Sequence, residues 1–343
     1  MQSDKYSRDN AGQSLKKYTL LKKGELAYNH GASKAKQFGC CYELREEEAR
    51  IPYVYHCFKV QDTEYTPYVA LELNNTKMDK QLKRLVSSSV RMDGLLNISY
   101  DEYMSVVVYL PAYAEQKHIA DFLEKLDMRI AKQEQLIESL KKYKRGVVDG
   151  IFSRKLNFSY PQTWAELEIS ELFMPISDKG YSDKIVLTIV QGEGTMPRDS
   201  VDRRIAYDKS TISSYKRVLP NDFILHLRSF EGGLEIVNEE GVVSPAYTIL
   251  RARNEIIPLF FYTFFRSYWF INSKLRISVE GIRDGKSINM NTFWHIKVPV
   301  PSIEEQRHIS ALISSIDNRI KIAEFEYKRL LQIRVGLMQQ LFI

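Results

Sequence analysis

A stretch of 42 residues occurs twice in this 343-residue chain. Residues 111–152 and 301–342 lie 190 positions apart, align without gaps and share twelve identities. Each copy begins with a proline and reaches an E-Q pair four residues later. It then passes a D-x-R-I step and ends with a glycine six residues ahead of a phenylalanine. Because an internal repeat decides the architecture before any local pattern does, the chain must contain one structural unit twice.

Each copy of the repeat predicts a long helix with a coiled-coil seam. Alternating steps of four and three meet mostly apolar residues, and this period of 3.5 is typical of a helix that faces another helix. The seam residues are Ile119, Leu123, Leu126, Ile130, Gln133, Ile137, Leu140, Lys144, Val147 and Ile151 in the first copy, and Ile309, Ile313, Ile316, Ile320, Ala323, Tyr327, Leu330, Arg334, Leu337 and Leu341 in the second. The basic interruption falls at the same position, Lys144 and Arg334. Ser302 and Glu305 predict a capping box that Ala112 cannot form in the first copy.

Charge and cysteine content limit the function classes. A net charge of +6, from 49 basic and 43 acidic residues, permits a polyanionic partner without requiring one. Three cysteines, Cys40, Cys41 and Cys57, favour a reducing cytoplasm over a disulfide framework, and adjacent cysteines without a C-x-x-C motif favour buried thiols over a zinc site. The most apolar run, 256–271, is interrupted by a proline and an arginine, so we expect a buried helix and no membrane span. The polar N-terminus predicts no secretory signal.

The segments ahead of the two helices predict two globular domains. L-K-K-G-E-L-A-Y at residue 21 aligns with V-L-P-N-D-F-I-L at residue 218, and both place a turn signal before a short apolar strand. The predicted fold class is α+β. The predicted boundaries are 1–110 for the first domain, 111–156 for its helix, 157–300 for the second domain and 301–343 for its helix.

The two predicted domains differ in length. The second contains a stretch from Trp164 to about Thr195 that has no counterpart in the first. The first domain is therefore truncated, or its absent edge is supplied by another chain or is dispensable. The sequence leaves these alternatives open.

These features together resemble the specificity subunit of type I restriction–modification systems. That family has two target-recognition domains, each followed by a long helix that begins with a proline and an E-Q-x-x-I segment. Here these residues are Pro111, Glu115, Gln116 and Ile119, and again Pro301, Glu305, Gln306 and Ile309. The second domain resembles the family along its length, including S-D-K-G-Y-S, Q-G-E-G-T-M and G-I-R-D-G-K-S-I. The shortened first domain departs from the family.

The resemblance implies a non-catalytic, cytoplasmic DNA-recognition subunit that binds no cofactor itself. Its partners would be double-stranded DNA, modification subunits that use S-adenosylmethionine, and restriction subunits that use ATP and magnesium. The matching helix starts predict the docking surface for the modification subunits. Its candidate residues are Pro111, Glu115, Gln116, His118, Pro301, Glu305, Gln306 and His308.

Antiparallel pairing of the two helices would give the molecule a pseudo-twofold axis. Since a dimeric reader mirrors the symmetry of its DNA site, one chain with two unlike domains predicts a bipartite, asymmetric target. The helices would set the spacer between the two half-sites. A parallel homodimer is the competing arrangement.

Basic residues near turns are the candidates for DNA contact, because phosphates and base edges are bound by Arg, Lys and amide side chains. These candidates are Arg198, Arg203, Arg204, Lys216, Arg217 and Arg228 in the second domain, and Lys16, Lys17, Lys34 and Lys36 in the first. Each of them taken singly is also consistent with an ordinary solvated surface charge.

Several catalytic motifs are absent from the sequence. It contains no N-P-P-Y type motif and no G-x-x-x-x-G-K-[ST] loop, and the spacing of Q-G-E-G-T-M fits a turn and no phosphate-binding fingerprint. No catalytic residue and no metal ligand is predicted. The other functions that remain open are a freestanding DNA-binding regulator, a coiled-coil scaffold that binds proteins, and an inactive truncated specificity subunit.

Overall fold

A computed structural model of the chain describes residues 18–31, 36–86, 96–156, 163–201, 209–226, 233–281 and 287–342. The chain divides into two compact units. Unit 1 consists of residues 1–135 and 324–343, and unit 2 consists of residues 136–323. Each unit therefore combines one globule with a part of both long helices.

Unit 1 is a small mixed globule. The elements in chain order are β1 (Tyr18–Lys22), β2 (Leu26–Asn29), β3 (Cys40–Glu43), β4 (Glu48–Pro52), β5 (His56–Phe58), α1 (Thr66–Glu72), α2 (Thr76–Leu85), α3 (Tyr100–Met104) and the first long helix α4 (Tyr113–Phe152), which continues into unit 2. The strands form a three-stranded antiparallel sheet in the order β3-β2-β5 and an antiparallel pair of β1 with β4.

The core of unit 1 is built around stacked tyrosines. The rings of Tyr28 and Tyr103 lie 3.9 Å apart and nearly parallel, and both side chains are fully buried. His30 and His56 each bond a backbone carbonyl of the segment that leads into α3, those of Leu96 at 3.0 Å and Ile98 at 2.9 Å. These bonds hold that segment against the sheet.

Unit 2 contains a larger sheet and more strands. The elements are β6 (Ala165–Glu168), α5 (Ile169–Leu172), β7 (Phe173–Ile176), β8 (Leu187–Val190), β9 (Gly194–Pro197), β10 (Lys216–Val218), β11 (Phe223–His226), β12 (Glu235–Ile236), β13 (Gly241–Val243), β14 (Tyr247–Ala252), α6 (Pro258–Phe265), β15 (Val279–Glu280), β16 (Ser287–Ile288), α7 (Met290–Trp294), β17 (Lys297–Val300) and the second long helix α8 (Ile303–Leu341), which continues into unit 1. The main sheet is antiparallel in the order β12-β11-β14-β7, and the other strands form the pairs β8–β9, β10–β13, β15–β16 and β17–β6. Short 3-10 turns and one π turn connect them.

An aromatic core fills unit 2. Phe260, Phe261, Phe264 and Phe265 on α6 are fully buried, which confirms the predicted internal helix. The predicted buried helix covered the run 256–271 and so included Tyr268, but its side chain is 71% exposed because the helix ends at Phe265 and the chain turns there. Among the described residues, no helix is long and apolar enough to span a membrane.

The two long helices pack against each other inside each unit. In unit 1 the early part of α4 meets the late part of α8, as Gln133 donates a hydrogen bond to Glu326 at 3.2 Å. In unit 2 the late part of α4 meets the early part of α8, as Lys144 bonds Asp317 at 2.6 Å. The two helices run in opposite directions within each unit. All twenty predicted seam residues are buried or half-buried, so the period of 3.5 is confirmed.

Candidate functional site

A buried glutamine fixes the start of the first long helix in unit 1. The side-chain oxygen of Gln116 accepts a hydrogen bond from the backbone N–H of Tyr65 at 2.9 Å. Its amide nitrogen donates to the carbonyl of Pro111 at 2.8 Å and to the carboxylate of Glu64 at 2.5 Å. Tyr65 is the N-cap residue of α1, so one side chain joins the start of α4 to the start of α1.

The same arrangement recurs at the second long helix in unit 2. The side-chain oxygen of Gln306 accepts a hydrogen bond from the backbone N–H of Ile257 at 3.0 Å, and its amide donates to the carbonyl of Pro301 at 3.0 Å. Ile257 is the N-cap residue of α6. We call these two arrangements the glutamine clamps. In both copies the glutamine of the E-Q pair and the proline five residues before it take part in the same clamp.

The clamps correct part of the predicted docking surface. Gln116, Gln306 and Glu305 are at most 4% exposed, so their side chains are not presented to a partner. Pro301 is also buried, and Pro111 is half-buried. The sequence pattern showed that these positions match between the copies, but it did not distinguish an internal bond from an external contact.

The other docking candidates are exposed. Glu115, His118 and His308 lie on the outer side of the first turns of the long helices. Of the capping box predicted at α8, one bond is seen: the N–H of Glu305 donates to the hydroxyl of Ser302 at 3.2 Å.

The basic interruptions of the seams form ion pairs. In unit 1, Arg334 of α8 bonds Asp127 of α4 through two nitrogens, with the Nη2–Oδ2 distance at 3.1 Å. In unit 2, Lys144 of α4 bonds Asp317 of α8. The hydrogen bond to Asp127 raises the pKa of Arg334, although burial opposes the shift. Lys144 and Arg334 are repeat counterparts, and so are Asp127 and Asp317. Each basic residue therefore pairs with the acidic residue of the other copy.

Two DNA-contact candidates on strand β10 already have partners within unit 2. Lys216 donates to the carbonyl of Tyr247 at 2.6 Å, and its partial burial lowers its pKa. Arg217 bonds Glu240 at 2.8 Å and lies 4.7 Å over the ring of Tyr181. A phosphate would have to compete with these bonds, so the geometry favours a structural contribution from both side chains.

The remaining DNA-contact candidates divide into two groups. Arg198 is half-buried in a 3-10 turn, where its N–H donates to the carbonyl of Val186 at 2.9 Å. That bond places Arg198 beside β13, the neighbour of Lys216 and Arg217, because Val186 bridges to Val242. In unit 1, Lys36 donates to the carbonyl of Asn74 at 2.8 Å. The other candidates lie outside the described residues; they are Arg203, Arg204, Arg228, Lys16, Lys17 and Lys34.

A basic groove in unit 2 was not predicted from the sequence. It has a volume of about 530 Å³ and lies between the late part of α4 and the region of α6. Four basic residues line it against two acidic ones: Lys141, Lys144, Arg145 and Arg266 against Asp149 and Asp317. Arg145 is exposed, whereas Lys144 is paired with Asp317. The crowding of basic residues near position 145 was visible in the sequence, but the groove depends on residues more than a hundred positions away.

A buried charge network holds the Q-G-E-G turn beside this groove. Both carboxylate oxygens of Glu235 accept bonds from Arg266, at 2.8 and 3.0 Å, and one of them also accepts from the N–H of Gly192. The hydroxyl of Tyr262 lies 3.0 Å from Glu235. The predicted turn is confirmed, since residues 191–193 connect β8 to β9 as a hairpin. Glu235 and Arg266 lie far from Gly192 in the sequence, so no sequence motif predicted this network.

The three cysteines lie in unit 1. Cys41 is buried and its burial raises the pKa of the thiol to about 12, while Cys40 and Cys57 are half-buried. The expectation of buried or partly buried thiols is confirmed. Within the described parts of the chain, no group of three or more His, Cys, Asp or Glu residues is arranged to hold a metal ion.

Comparison with known sequences identifies the family. The sequence model of the type I restriction modification DNA specificity domain matches residues 161–332, which is half of the chain. The chain belongs to this family. The matched residues of this specificity-family chain run from just before β6 to the late part of α8, and so they include the second globule and the Gln306 clamp.

Curated relatives of this specificity-family chain come from Methanocaldococcus jannaschii. The putative type I restriction enzyme MjaX specificity subunit is 22% identical over 294 residues, which is 80% of this chain and 67% of the relative. The type I restriction enzyme MjaVIII specificity subunit is 24% identical over 311 residues, covering 80% of this chain and 72% of the relative.

Solved structures share the fold. The HsdS subunit from Thermoanaerobacter tengcongensis matches 94% of this chain and 81% of its own with a TM-score of 0.51 and 12% identity. A chain from a structure of type I restriction–modification complex assembly matches 97% of this chain and 84% of its own, with a TM-score of 0.60 and 13% identity. The S subunit from M. genitalium gives a TM-score of 0.51 at 17% identity and covers 96% of this chain and 85% of its own. At these identities the likeness establishes the mixed helix-and-sheet fold of specificity subunits.

Proposed function

We propose that this chain is the non-catalytic DNA sequence-recognition subunit of a type I restriction–modification enzyme. The observation that carries the proposal is the duplicated unit. A mixed globule leads into a long helix through a glutamine clamp, and this happens twice in one chain. Membership of the specificity family supports the same function. In this proposal the chemistry belongs to partner subunits, which use S-adenosylmethionine for methylation and ATP with magnesium for cleavage.

The proposal includes an antiparallel coiled coil with pseudo-twofold symmetry. In an interface with twofold symmetry, residue i of one element contacts residue j of the other and j contacts i. The pairs Arg334–Asp127 and Lys144–Asp317 satisfy this rule between the two copies of the repeat. The target would then be bipartite and asymmetric, with one half-site for each globule, and the helices would set the spacer.

DNA contact in this proposal comes from the basic groove of unit 2 and from the predicted basic residues other than Lys216 and Arg217, which internal bonds already hold. Arg145 is the groove residue best suited to a phosphate, because it is exposed and no ion pair holds it in the described structure. A protein that contacts DNA phosphates loses affinity steeply as the salt concentration rises. In a plot of log affinity against log salt concentration, each phosphate contact adds roughly one unit to the slope. Arg145→Glu should therefore weaken binding and lower the slope by about one, with the exposed Lys132→Glu as the matched control.

Docking of modification subunits would use the exposed side of the long helices. Glu115 and His118 mark the start of α4, and the exposed apolar side chains Phe122 and Phe325 lie further along the two helices. An exposed apolar side chain stabilises a complex when a partner protein covers it and removes it from water. Phe325→Asp should reduce co-purification with the modification subunit, while Lys328→Asp on the same helix should not. Unchanged co-purification of the Phe325 variant would exclude this surface.

The decisive experiment is co-expression with a modification subunit from the same system, followed by mapping of methylated adenines across the genome. A two-part motif is the expected result. A one-part motif would mean that the short first globule reads no DNA. If the isolated chain binds its site tightly without a partner, a freestanding regulator is favoured. If no salt-sensitive DNA affinity appears, a protein-binding scaffold is favoured.

A further inference from the structure

The basic groove of unit 2 has two walls of different chemistry. Helix α4 contributes the cations Lys141, Lys144 and Arg145. The chain from α6 to the turn after it contributes aromatic and aliphatic side chains, which are Leu259, Tyr262, Tyr268 and Ile271. Apolar and aromatic walls with a few placed charges are typical of pockets that hold small molecules, and the groove volume of about 530 Å³ lies within their usual range of roughly 300–1,000 Å³.

Both walls are held in place by bonds within unit 2. Lys144 of α4 is fixed to Asp317 of α8 at 2.6 Å. On the other wall, Arg266 bonds the buried carboxylate of Glu235 at 2.8 Å, and the hydroxyl of Tyr262 lies 3.0 Å from Glu235. The groove is therefore formed before a ligand enters it, and a preformed site loses less conformational entropy on binding.

The α4 wall carries an excess of positive charge. Its lining residues are three basic ones against a single acidic one, Asp149. Arg145 is exposed, and no ion pair in the described structure holds it. The planar guanidinium of an arginine binds phosphate oxygens in pairs, so the α4 wall suits an anion of the phosphate type.

The opposite wall presents an exposed aromatic ring. Phe264 and Phe265 at the end of α6 are fully buried, whereas Tyr268 is 71% exposed and lines the groove. A tyrosine ring that lies open at a pocket is a platform on which a planar group stacks. Nucleic-acid bases stack on such rings whichever base they are, because every base has a π face.

We propose that the basic groove binds a free nucleotide, with its phosphate at Arg145 and its base on the ring of Tyr268. A nucleotide joins a planar base to an anionic phosphate, and the two walls offer a partner for each part. The bases of duplex DNA are stacked inside the helix and do not reach such a ring, so the ligand is a nucleotide outside a duplex. The proposal goes beyond DNA recognition and does not depend on it.

Titration calorimetry of the full chain with three probes separates the two contacts. AMP carries both parts of the ligand, adenosine carries the base alone, and inorganic phosphate carries the anion alone. AMP should bind saturably and at least about tenfold more tightly than adenosine or phosphate, because it uses both walls of the groove.

Two substitutions should each remove one contact. Arg145→Gln should weaken AMP binding about tenfold and change adenosine binding by less than about twofold, since only the phosphate loses a partner. Tyr268→Ala should weaken AMP binding about tenfold and change phosphate binding by less than about twofold, since the lost contact is base stacking. The matched controls are Lys142→Gln and Tyr143→Ala, because both residues are exposed on α4 and neither lines the groove. Each control should change AMP affinity by less than about twofold.

Three results would overturn the proposal. They are the absence of saturable AMP binding, AMP binding no tighter than that of phosphate, and AMP binding that Tyr268→Ala leaves unchanged. The second result would mean an adventitious ion only. Circular dichroism shows whether each variant folds. If Tyr268→Ala does not fold, photolabelling of the wild-type protein with azido-substituted AMP decides, because the label should fall on the peptide that contains Tyr268 and a label elsewhere would contradict the site.

A competition experiment separates this proposal from the proposed function. If Arg145 also contacts DNA, AMP should weaken DNA binding by the wild-type chain. Saturable AMP binding without such competition would support the nucleotide site and count against DNA contact in the groove. The two proposals can therefore fail independently.

Discussion

The ion pair between Arg334 and Asp127 offers a direct test of how the long helices recognise each other. The two side chains are 33% and 43% exposed, so solvent screens their attraction. Two unit charges 3 Å apart attract by roughly 1.4 kcal/mol at the dielectric constant of water, and fixing both side chains costs part of this. The expected coupling energy is about 1 kcal/mol. Arg334→Asp removes the attraction and adds a repulsion of similar size, so it should destabilise unit 1 by about 2 kcal/mol.

The double reversal, Asp127→Arg with Arg334→Asp, should recover most of the loss, because it restores the pair with the charges exchanged. Thermal unfolding at 222 nm measures both effects. For a unit of this size about 1 kcal/mol shifts the midpoint by about 2–4 °C. The single reversal should therefore lower the midpoint by about 4–8 °C and the double reversal by much less. Lys132→Asp, an exposed residue of α4 with no ion pair in the described structure, should shift it by less than about 2 °C.

The same cycle on Lys144 and Asp317 tests the counterpart pair in unit 2. Its coupling should be somewhat smaller, because lysine offers a point charge and arginine offers a planar fork that binds both carboxylate oxygens. If the double reversals are as unstable as the single ones, the pairs do not select the helix partner. The two equivalent ion pairs would then not help to determine how the two long helices pair.

Three further predictions concern single side chains. Gln306→Ala should destabilise unit 2 by about 2–4 kcal/mol in urea unfolding, because it leaves a buried N–H and a buried carbonyl without partners, whereas Gln332→Ala on the exposed surface of the same helix should be nearly neutral. Cys41 should resist alkylation in the folded protein while the two half-buried cysteines react, as read by mass spectrometry; since its folded pKa of about 12 lies above the unfolded value near 9, stability should fall as pH rises between them. Arg266→Leu should cost about 3 kcal/mol by stranding the buried carboxylate of Glu235, and Glu235→Gln in the same chain should recover part of the loss.

The helix starts show where reasoning from sequence was incomplete. The match between the copies correctly marked Gln116 and Gln306 as special, and it correctly placed a cap at Ser302. It did not reveal that the glutamines bond residues about fifty positions away, at Tyr65 and Ile257. A repeated polar residue at a helix start is equally consistent with an internal clamp and with a contact to a partner. An internal clamp can be distinguished from a partner contact only when the structure shows which chain segment lies opposite the side chain.

The candidate DNA contacts show a related limit. Basic residues near turns are visible in any sequence, but their partners are not. Arg217 was proposed for its charge, and the structure surrounds it with Glu240 and Tyr181. Arg145 was not among the predicted DNA contacts, and the structure places it in the lining of a groove. Both outcomes depend on residues that approach from distant parts of the chain.

The sequence by itself determined the duplicated architecture, the two long helices and the seam between them. These follow from periodic burial, and a period is a local property that the order of residues records directly. The tertiary structure decided which repeated residues face inward and which charges pair across the helices. Those properties depend on the segments that meet a side chain or a backbone edge in space. Val108 and Val298 occupy equivalent positions in the sequence, and only the structure shows that β6, a strand from a distant part of the chain, pairs with the strand of Val298.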